Sequence, residues 1–175
     1  DNLVVAEKAD VLFVCVRPID LKGVIAELYD LLTPDKLIVS VAVDFSLQQL
    51  QNLCHARAAR AIPSVASNKG QGVTLLVLGN DASEDDRSLL IRLFRSIGWP
   101  VEVAEEQLEV LADLTSSGPA YISAIFRAFA LEASMQGVKV EKDLAEQLIK
   151  KSLIGTASLL EDMSFEDLIA MVATK

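Results

Sequence analysis

Along the first hundred positions, short β-branched apolar runs alternate with stretches of helical period. Residues 11–16 (Val-Leu-Phe-Val-Cys-Val) form a continuous apolar run of strand length. From 19 to 32, Leu21, Val24, Ile25, Leu28 and Leu32 share one face of an amphipathic helix. Thr33-Pro34-Asp35 marks a turn, and residues 37–42 read as a fully buried strand of the kind found in parallel sheets. Ser46-Leu-Gln-Gln49 has the reciprocal capping pattern that opens a helix, here through about Leu53. Strands follow at 58–62 and 73–78. Ser83-Glu-Asp-Asp86 then starts a helix to Ser96, with its acidic residues at the positive end of the dipole. Residues 99–103 are a last strand. Such alternation predicts a mainly parallel sheet with helices on its faces.

After Ala104 the period changes. Two long helical stretches, 106–136 and 142–160, are separated by residues 137–140, and a short helix begins at Ser164. Ser117-Gly118-Pro119 predicts a kink in the first of them, because proline removes a helix hydrogen bond and crowds the preceding turn. Residues 120–133 are apolar almost all round, including Ile122, Ile125, Phe126, Phe129, Ala130 and Ala133. A helix without a broad polar face needs cover on several sides. A partner subunit, or further helices beyond this chain, must supply it.

Composition narrows the classes. The chain has 175 residues, of which 51% are hydrophobic, enough to bury a core in one or two domains. Its longest apolar run is far below the span a membrane helix needs. A formal charge of −9 disfavours nucleic acid as a partner. Cys15 falls in an apolar strand and Cys54 near a helix end; with no metal-ligand spacing, both are expected as reduced thiols of a cytoplasmic protein. The single histidine, His55, has no Ser or Cys partner motif and reads as a solvated position near a helix end.

The richest chemistry lies in Leu114-Thr-Ser-Ser-Gly-Pro-Ala-Tyr121, where polar residues run into an apolar helix. Two readings of these residues stand. One is a capped helix start with proline in its first turn. The other is an anion site, in which Thr115, Ser116 and Ser117 hydroxyls and free backbone N–H groups take a carboxylate or phosphate. Ser123, about one turn further, either bonds its own backbone or donates to a ligand. Val16-Arg17-Pro18, Ala42-Val43 and Pro63-Ser64 all follow expected strand ends. They are either ordinary sheet-packing positions or the rim of a ligand crevice.

The same stretch resembles the Ser-Gly-Ser-Gly-Pro-Ala-Tyr signature of the pyrroline-5-carboxylate reductase family. Val11-Leu-Phe-Val-Cys-Val-Arg-Pro18 is similar to that family's strand ending in Val-Lys-Pro, and residues 37–43 to its next strand, which ends Ser-x-Ala-Ala-Gly. Arg60-Ala-Ile-Pro63 and Gly70-Gln-Gly-Val-Thr74 resemble its Arg-x-Met-Pro-Asn-Thr-Pro loop and the Gly-Glu-Gly-Val-Thr beyond it. Order and spacing agree over the whole chain. The resemblance implies a partial doubly wound, Rossmann-type α/β sheet over residues 1–104, followed by an all-α dimerisation and substrate domain over 105–175. It implies an oxidoreductase that uses NADPH or NADH to reduce 1-pyrroline-5-carboxylate to L-proline, as a homodimer through its C-terminal helices. Val16, Arg17, Pro18, Ala42, Val43, Pro63 and Ser64 would then line the cofactor, and Thr115, Ser116, Ser117 and Gly118 the substrate carboxylate. Ser123 would stand near the imine nitrogen. Reduction of a cyclic imine asks mainly for orientation, so the lack of a catalytic His or Cys pair fits.

The family opens with a Gly-x-Gly-x-x-Gly turn, and no such motif occurs among the eight glycines here. The chain is therefore expected to be a piece that lacks the first βαβ unit and the last helices. It also departs from the pattern at Arg17, Asp44, Ser64-Val65-Ala66 and Thr115-Ser116. Together these resemble the divergent, reductase-like proteins encoded with competence genes in some Gram-positive bacteria. That leaves a non-catalytic dimerising or regulatory module of the same fold as the alternative.

Overall fold

In the computed structural model the described residues are 1–135 and 140–173, with Ser134 described by its backbone only. The expected interruption at 137–140 lies outside them except for Val140. The chain gathers into two compact units, Asp1–Pro119 and Ala120–Lys175.

Local chemistry fixes the helices of the first unit. The Asp1 side chain accepts from the Leu3 N–H and starts α1 (Asn2–Lys8). Pro18, at the first helical position where its missing N–H is not needed, opens α2 (Pro18–Leu28), which tightens into a 3₁₀ turn (Tyr29–Leu31). Both expected capping boxes form. Ser46 and Gln49 exchange bonds at α3 (Leu47–Gln51), and Ser83 and Asp86 do so at α4 (Glu84–Arg95).

Five strands make one sheet in the order β1 (Val11–Val14), β2 (Leu37–Ser40), β3 (Arg57–Pro63), β4 (Gly72–Leu78), β5 (Gly98–Glu102). β1, β2 and β3 run parallel, with Val14 opposite Ser40 and Ser40 opposite Arg60. β4 turns back antiparallel to β3, and β5 runs parallel to β4. The reversal follows from the short link between β3 and β4, a 3₁₀ turn (Val65–Lys69) closed by Gly70 at φ 69°. That is too short for the helical crossover a parallel pair requires. At the far edge Gly98 (φ 149°) crosses Gly72 so closely that a Cβ would meet the Gly72 backbone.

Alternate strand residues feed two apolar layers. Leu12, Val14, Ile38, Ala58, Ile62, Leu75 and Val77 pack with α1, α2 and α3, while Leu37, Val39, Ala59, Ala61 and Leu76 pack with Leu90 and Phe94 of α4. Beyond β5, a 3₁₀ turn (Glu105–Gln107) leads into α5 (Leu108–Ala112), whose Leu108 and Ala112 join the first layer. This segment therefore packs with the sheet, and the division into compact units falls between Pro119 and Ala120.

The helix junction expected at 114–119 is not a helix start. A π-helical turn (Asp113–Ser117) joins α5 directly to α6 (Gly118–Met135), and Gly118 is right-handed helical at φ −46°, ψ −49°. The reason is Pro119. In a regular α-helix its ring would strike the carbonyl four residues back, and the wider turn relieves that clash. In the second unit stand α6 beyond Pro119, α7 (Lys142–Leu159) and α8 (Phe165–Val172), the last capped by Ser164. Among its described residues only Ala130 and Ala145 are buried, while Tyr121, Ile122, Ile125, Phe129, Leu148 and Ile154 are exposed. No helix among the described residues is long and apolar enough to cross a membrane.

Among the described residues two charged struts hold α4 to the sheet, Arg87 to Glu102 of β5 at 2.6 and 2.7 Å and Arg57 to Asp86. Arg57 grips buried Asp86 through two bonds, 2.7 and 3.0 Å, and donates to the Pro34 carbonyl. The guanidinium bond, aided by Ser83, lowers the Asp86 pKa to about 2 despite burial. Because the folded value lies below the unfolded one, this stabilisation is complete above about pH 4 and is lost as pH falls toward 2. Its size is about 2 kcal/mol. Asp86→Asn should accordingly flatten the loss of urea stability between pH 5 and pH 2.5. An unchanged slope would place the acid sensitivity elsewhere.

Candidate functional site

Because β1, β2 and β3 are parallel and in register, their C-terminal ends open on one edge of the sheet. Val16, Arg17 and Pro18 follow β1, Ala42 and Val43 follow β2, Pro63 ends β3 and Ser64 follows it. The structure thus brings all seven expected cofactor positions to one edge. Their strands stop earlier than expected, at Val14 rather than 16 and at Ser40 rather than 42. Cys15 is consequently an exposed residue just past β1 and not a strand residue, while Cys54 is buried; both thiols are free.

The side chains at this edge differ in their freedom. Val16 packs partly against the core. Arg17, the residue before α2, is exposed and paired with Asp20 at 2.9 Å. Ala42 is buried, and Val43 is 47% exposed. Ser64 is committed to the sheet: its hydroxyl accepts from the Val73 N–H at 3.2 Å, and its own N–H donates to the Val73 carbonyl. His55 is exposed and shares a 2.8 Å hydrogen bond with the Tyr29 hydroxyl.

A cleft of about 340 Å³ opens beside Val43, lined by Asp44, Ser46, Gln49, Arg60, Glu105, Leu108 and Glu109 as well. Its base is a charged pair that carried no assigned role in the sequence. Arg60, 4% exposed, bonds the Glu105 carboxylate at 2.5 Å and donates to the carbonyls of Ala42 (3.3 Å) and Val43 (2.5 Å). Glu105 also accepts from the Leu47 N–H at 2.7 Å, at the start of α3. The available signal was a lone arginine inside the strand run Ala58-Ala-Arg-Ala-Ile62, since a buried charge demands partners. Nothing local, however, points to Glu105 as the partner.

The hydroxyl-rich segment sits in the π turn, packed against β4 at the end of α5. It does not offer the free N–H groups of a helix N-terminus, because the helix runs through it. Thr115 donates to the Leu111 carbonyl at 2.9 Å, and Ser117 bonds the Asp113 carboxylate at 3.3 Å. Ser116 Oγ is buried without a partner, and Gly118 is buried. Ser123 lies on α6 and lines a groove in the second unit with Phe126, Arg127 and Glu146. Among the described residues no cluster of His, Cys, Asp or Glu suits a metal ion.

An unpaired buried hydroxyl carries its desolvation cost with no return. Ser116→Ala is therefore expected to leave the thermal midpoint unchanged or slightly raised in a circular-dichroism melt. A drop of several degrees would give this hydroxyl a bonded structural role.

Against known proteins, residues 105–175 match the family described as pyrroline-5-carboxylate reductase dimerisation. Pyrroline-5-carboxylate reductase from pea (Pisum sativum) is 35% identical over 89% of this chain and 56% of its own length. ComE operon protein 4 of Bacillus subtilis is 28% identical over 87% of this chain and 55% of its own. Among solved structures, a pyrroline-5-carboxylate reductase from Coxiella burnetii superposes with a TM-score of 0.90 at 31% identity. That match covers 100% of this chain and 66% of that one. The chain thus spans just over half the length of these curated relatives.

Proposed function

This chain belongs to the pyrroline-5-carboxylate reductase family, and from that premise we propose that the whole protein reduces 1-pyrroline-5-carboxylate to L-proline with NADPH or NADH. The observation that carries this reading is the shared edge of β1, β2 and β3, where three loops and a cleft meet. Ligands of open α/β sheets bind at such strand ends. The residues there fit a nicotinamide cofactor. Ala42 and Val43 give a small apolar surface, and the backbone N–H groups of Val43 and Asp44 have no partner among the described residues. When bound, the cofactor supplies a hydride.

The chain's own residues then have two tasks. Val16, Pro18, Ala42 and Val43 exclude water from the reacting face, and hydride transfer benefits from that dryness and close orientation. Thr115, Ser116, Ser117 and Gly118 hold the substrate carboxylate. The Thr115, Ser116 and Ser117 hydroxyls lie within one π-helical turn, and Ser116 Oγ keeps an unfilled bond. Ser123 is the candidate donor near the imine nitrogen.

A second reading keeps the fold without the chemistry, as a dimerising or regulatory module. Two features favour it. The Thr115 and Ser117 hydroxyls are already spent on Leu111 and Asp113, and Asp44 adds a carboxylate at the cofactor edge. A cofactor-oxidation assay with 1-pyrroline-5-carboxylate separates the two. Turnover with L-proline formed is expected, and cofactor binding without turnover would favour the module. Within the reductase reading, Ser117→Ala should raise KM for the imino acid roughly ten- to hundred-fold, as expected for one lost bond to a charged group. Unchanged kinetics would leave the π turn a purely structural device.

The second unit supports a homodimer. Helices that, among the described residues, bury only Ala130 and Ala145 leave an apolar surface too extensive for a free monomer. Interfaces of this obligate kind bury about 2,000 Å² or more. Sedimentation at micromolar concentration should give the mass of two chains, and a single-chain mass would refute the assembly.

A further inference from the structure

We infer that Arg60 is a positioning residue: it turns two consecutive peptides of the loop after β2 so that the N–H groups of Val43 and Asp44 receive the carboxamide oxygen of a nicotinamide ring. The inference rests on the proposed reading of this sheet edge as a nicotinamide site.

The geometry runs from the strand outward. Arg60 projects from β3 and is almost wholly buried, yet it reaches across β2's end to two successive carbonyls, those of Ala42 and Val43. No cis peptide occurs among the described residues. In a planar trans peptide the C=O and N–H point in opposite directions. Drawing the Ala42 and Val43 carbonyls inward to the guanidinium therefore turns the Val43 and Asp44 N–H groups away from it. Both residues line the cleft, and neither N–H has a partner among the described residues. Two adjacent donors at a strand end thus stand ready for one acceptor.

The charge of the cleft selects that acceptor. Asp44, Glu105 and Glu109 line it, and Glu105 already neutralises Arg60. A phosphate or substrate carboxylate would meet two further carboxylates there. A neutral carbonyl oxygen would not, and the carboxamide is the neutral acceptor at the reacting end of the dinucleotide. Arginine suits the task because its planar fork spans a carboxylate and two carbonyls at once; lysine offers a single ammonium point. Glu105 holds the fork through Nη1, while Nη2 serves the two carbonyls, and through the Leu47 N–H it ties the fork to α3.

The test uses the whole protein and compares calorimetric binding of NADP⁺ with that of the same dinucleotide lacking the ring carboxamide. Wild type should prefer NADP⁺ by about tenfold, the worth of one or two good hydrogen bonds. Arg60→Met should bring that ratio close to one, and Glu105→Gln, which keeps both acceptor contacts, should retain most of it. A merely structural role would weaken both ligands alike, and an unchanged ratio in Arg60→Met overturns the inference while leaving the cofactor reading intact. Absence of binding by either dinucleotide to wild type overturns the reading and the inference together. Should Arg60→Met fail to fold, wild-type amide exchange decides. Protection at Val43 and Asp44 by NADP⁺ but not by the analogue supports the inference, and equal protection by both overturns it.

Discussion

A charge pair between buried Arg60 and half-buried Glu105 organises the candidate edge of this sheet. Arg60 and Glu105 join β3, the loop after β2, the start of α3 and the turn that leads into α5. Burying a guanidinium is expensive, and only a carboxylate with additional well-placed acceptors offsets it. Here the carbonyls of Ala42 and Val43 supply those acceptors for the outer nitrogens, while the buried Nε has no partner. The pair therefore does more than hold segments together. It dictates which way the loop peptides face, and so which backbone groups a ligand meets. Removing Glu105 would strand the buried guanidinium, a loss that typically costs about 3–5 kcal/mol, whereas the half-buried Glu105 left without Arg60 keeps access to water.

The legibility of the fold tracked how local each cause is. Ser46 with Gln49 and Ser83 with Asp86 cap helices through residues three apart, so the sequence alone announces them. The apolar face Leu21, Ile25, Leu28 and Leu32 is likewise periodic and buried as expected. Strand ends were less legible. Ala42 looks like strand but leaves the sheet because its carbonyl turns to Arg60, eighteen positions away in a different strand. The hydroxyl segment misled in another way. Serines, glycine and proline together usually mark a helix start, and here a π turn absorbs the proline and lets the helix continue. Glu105 was illegible, because an acidic residue in a short turn carries no mark of a partner distant in sequence.

The two compact units obey different economies. In the first, sheet residues such as Leu37, Val39 and Leu76 are fully covered, and α4 turns a charged face to water. The second offers Tyr121, Ile125, Phe129, Leu148 and Ile154 to solvent and encloses almost nothing. Ordering each residue costs roughly 1–2 kcal/mol of backbone entropy, which helices without a core cannot recover alone. The stability of this unit must come from surface contributed by something else, and association with a second copy is the simplest source.

Charge along the sheet edge sets one further constraint on any dinucleotide bound there. At the β2 end, Asp44 and Glu109 face a guanidinium that Glu105 already neutralises, so the local balance is negative. At the β1 end, Pro18 opens α2, whose first turn carries the positive end of a helix dipole. Arg17 stands beside it, half answered by the exposed Asp20. An extended ligand with phosphates in its middle and a neutral or cationic ring at one end would thus be oriented by field alone. In the proposed reading its ring would lie at Val43 and its phosphates toward β1, because the reverse arrangement would press anionic oxygens against Asp44. The Asp44 carboxylate thus makes the edge less permissive, but it makes the direction of binding less ambiguous.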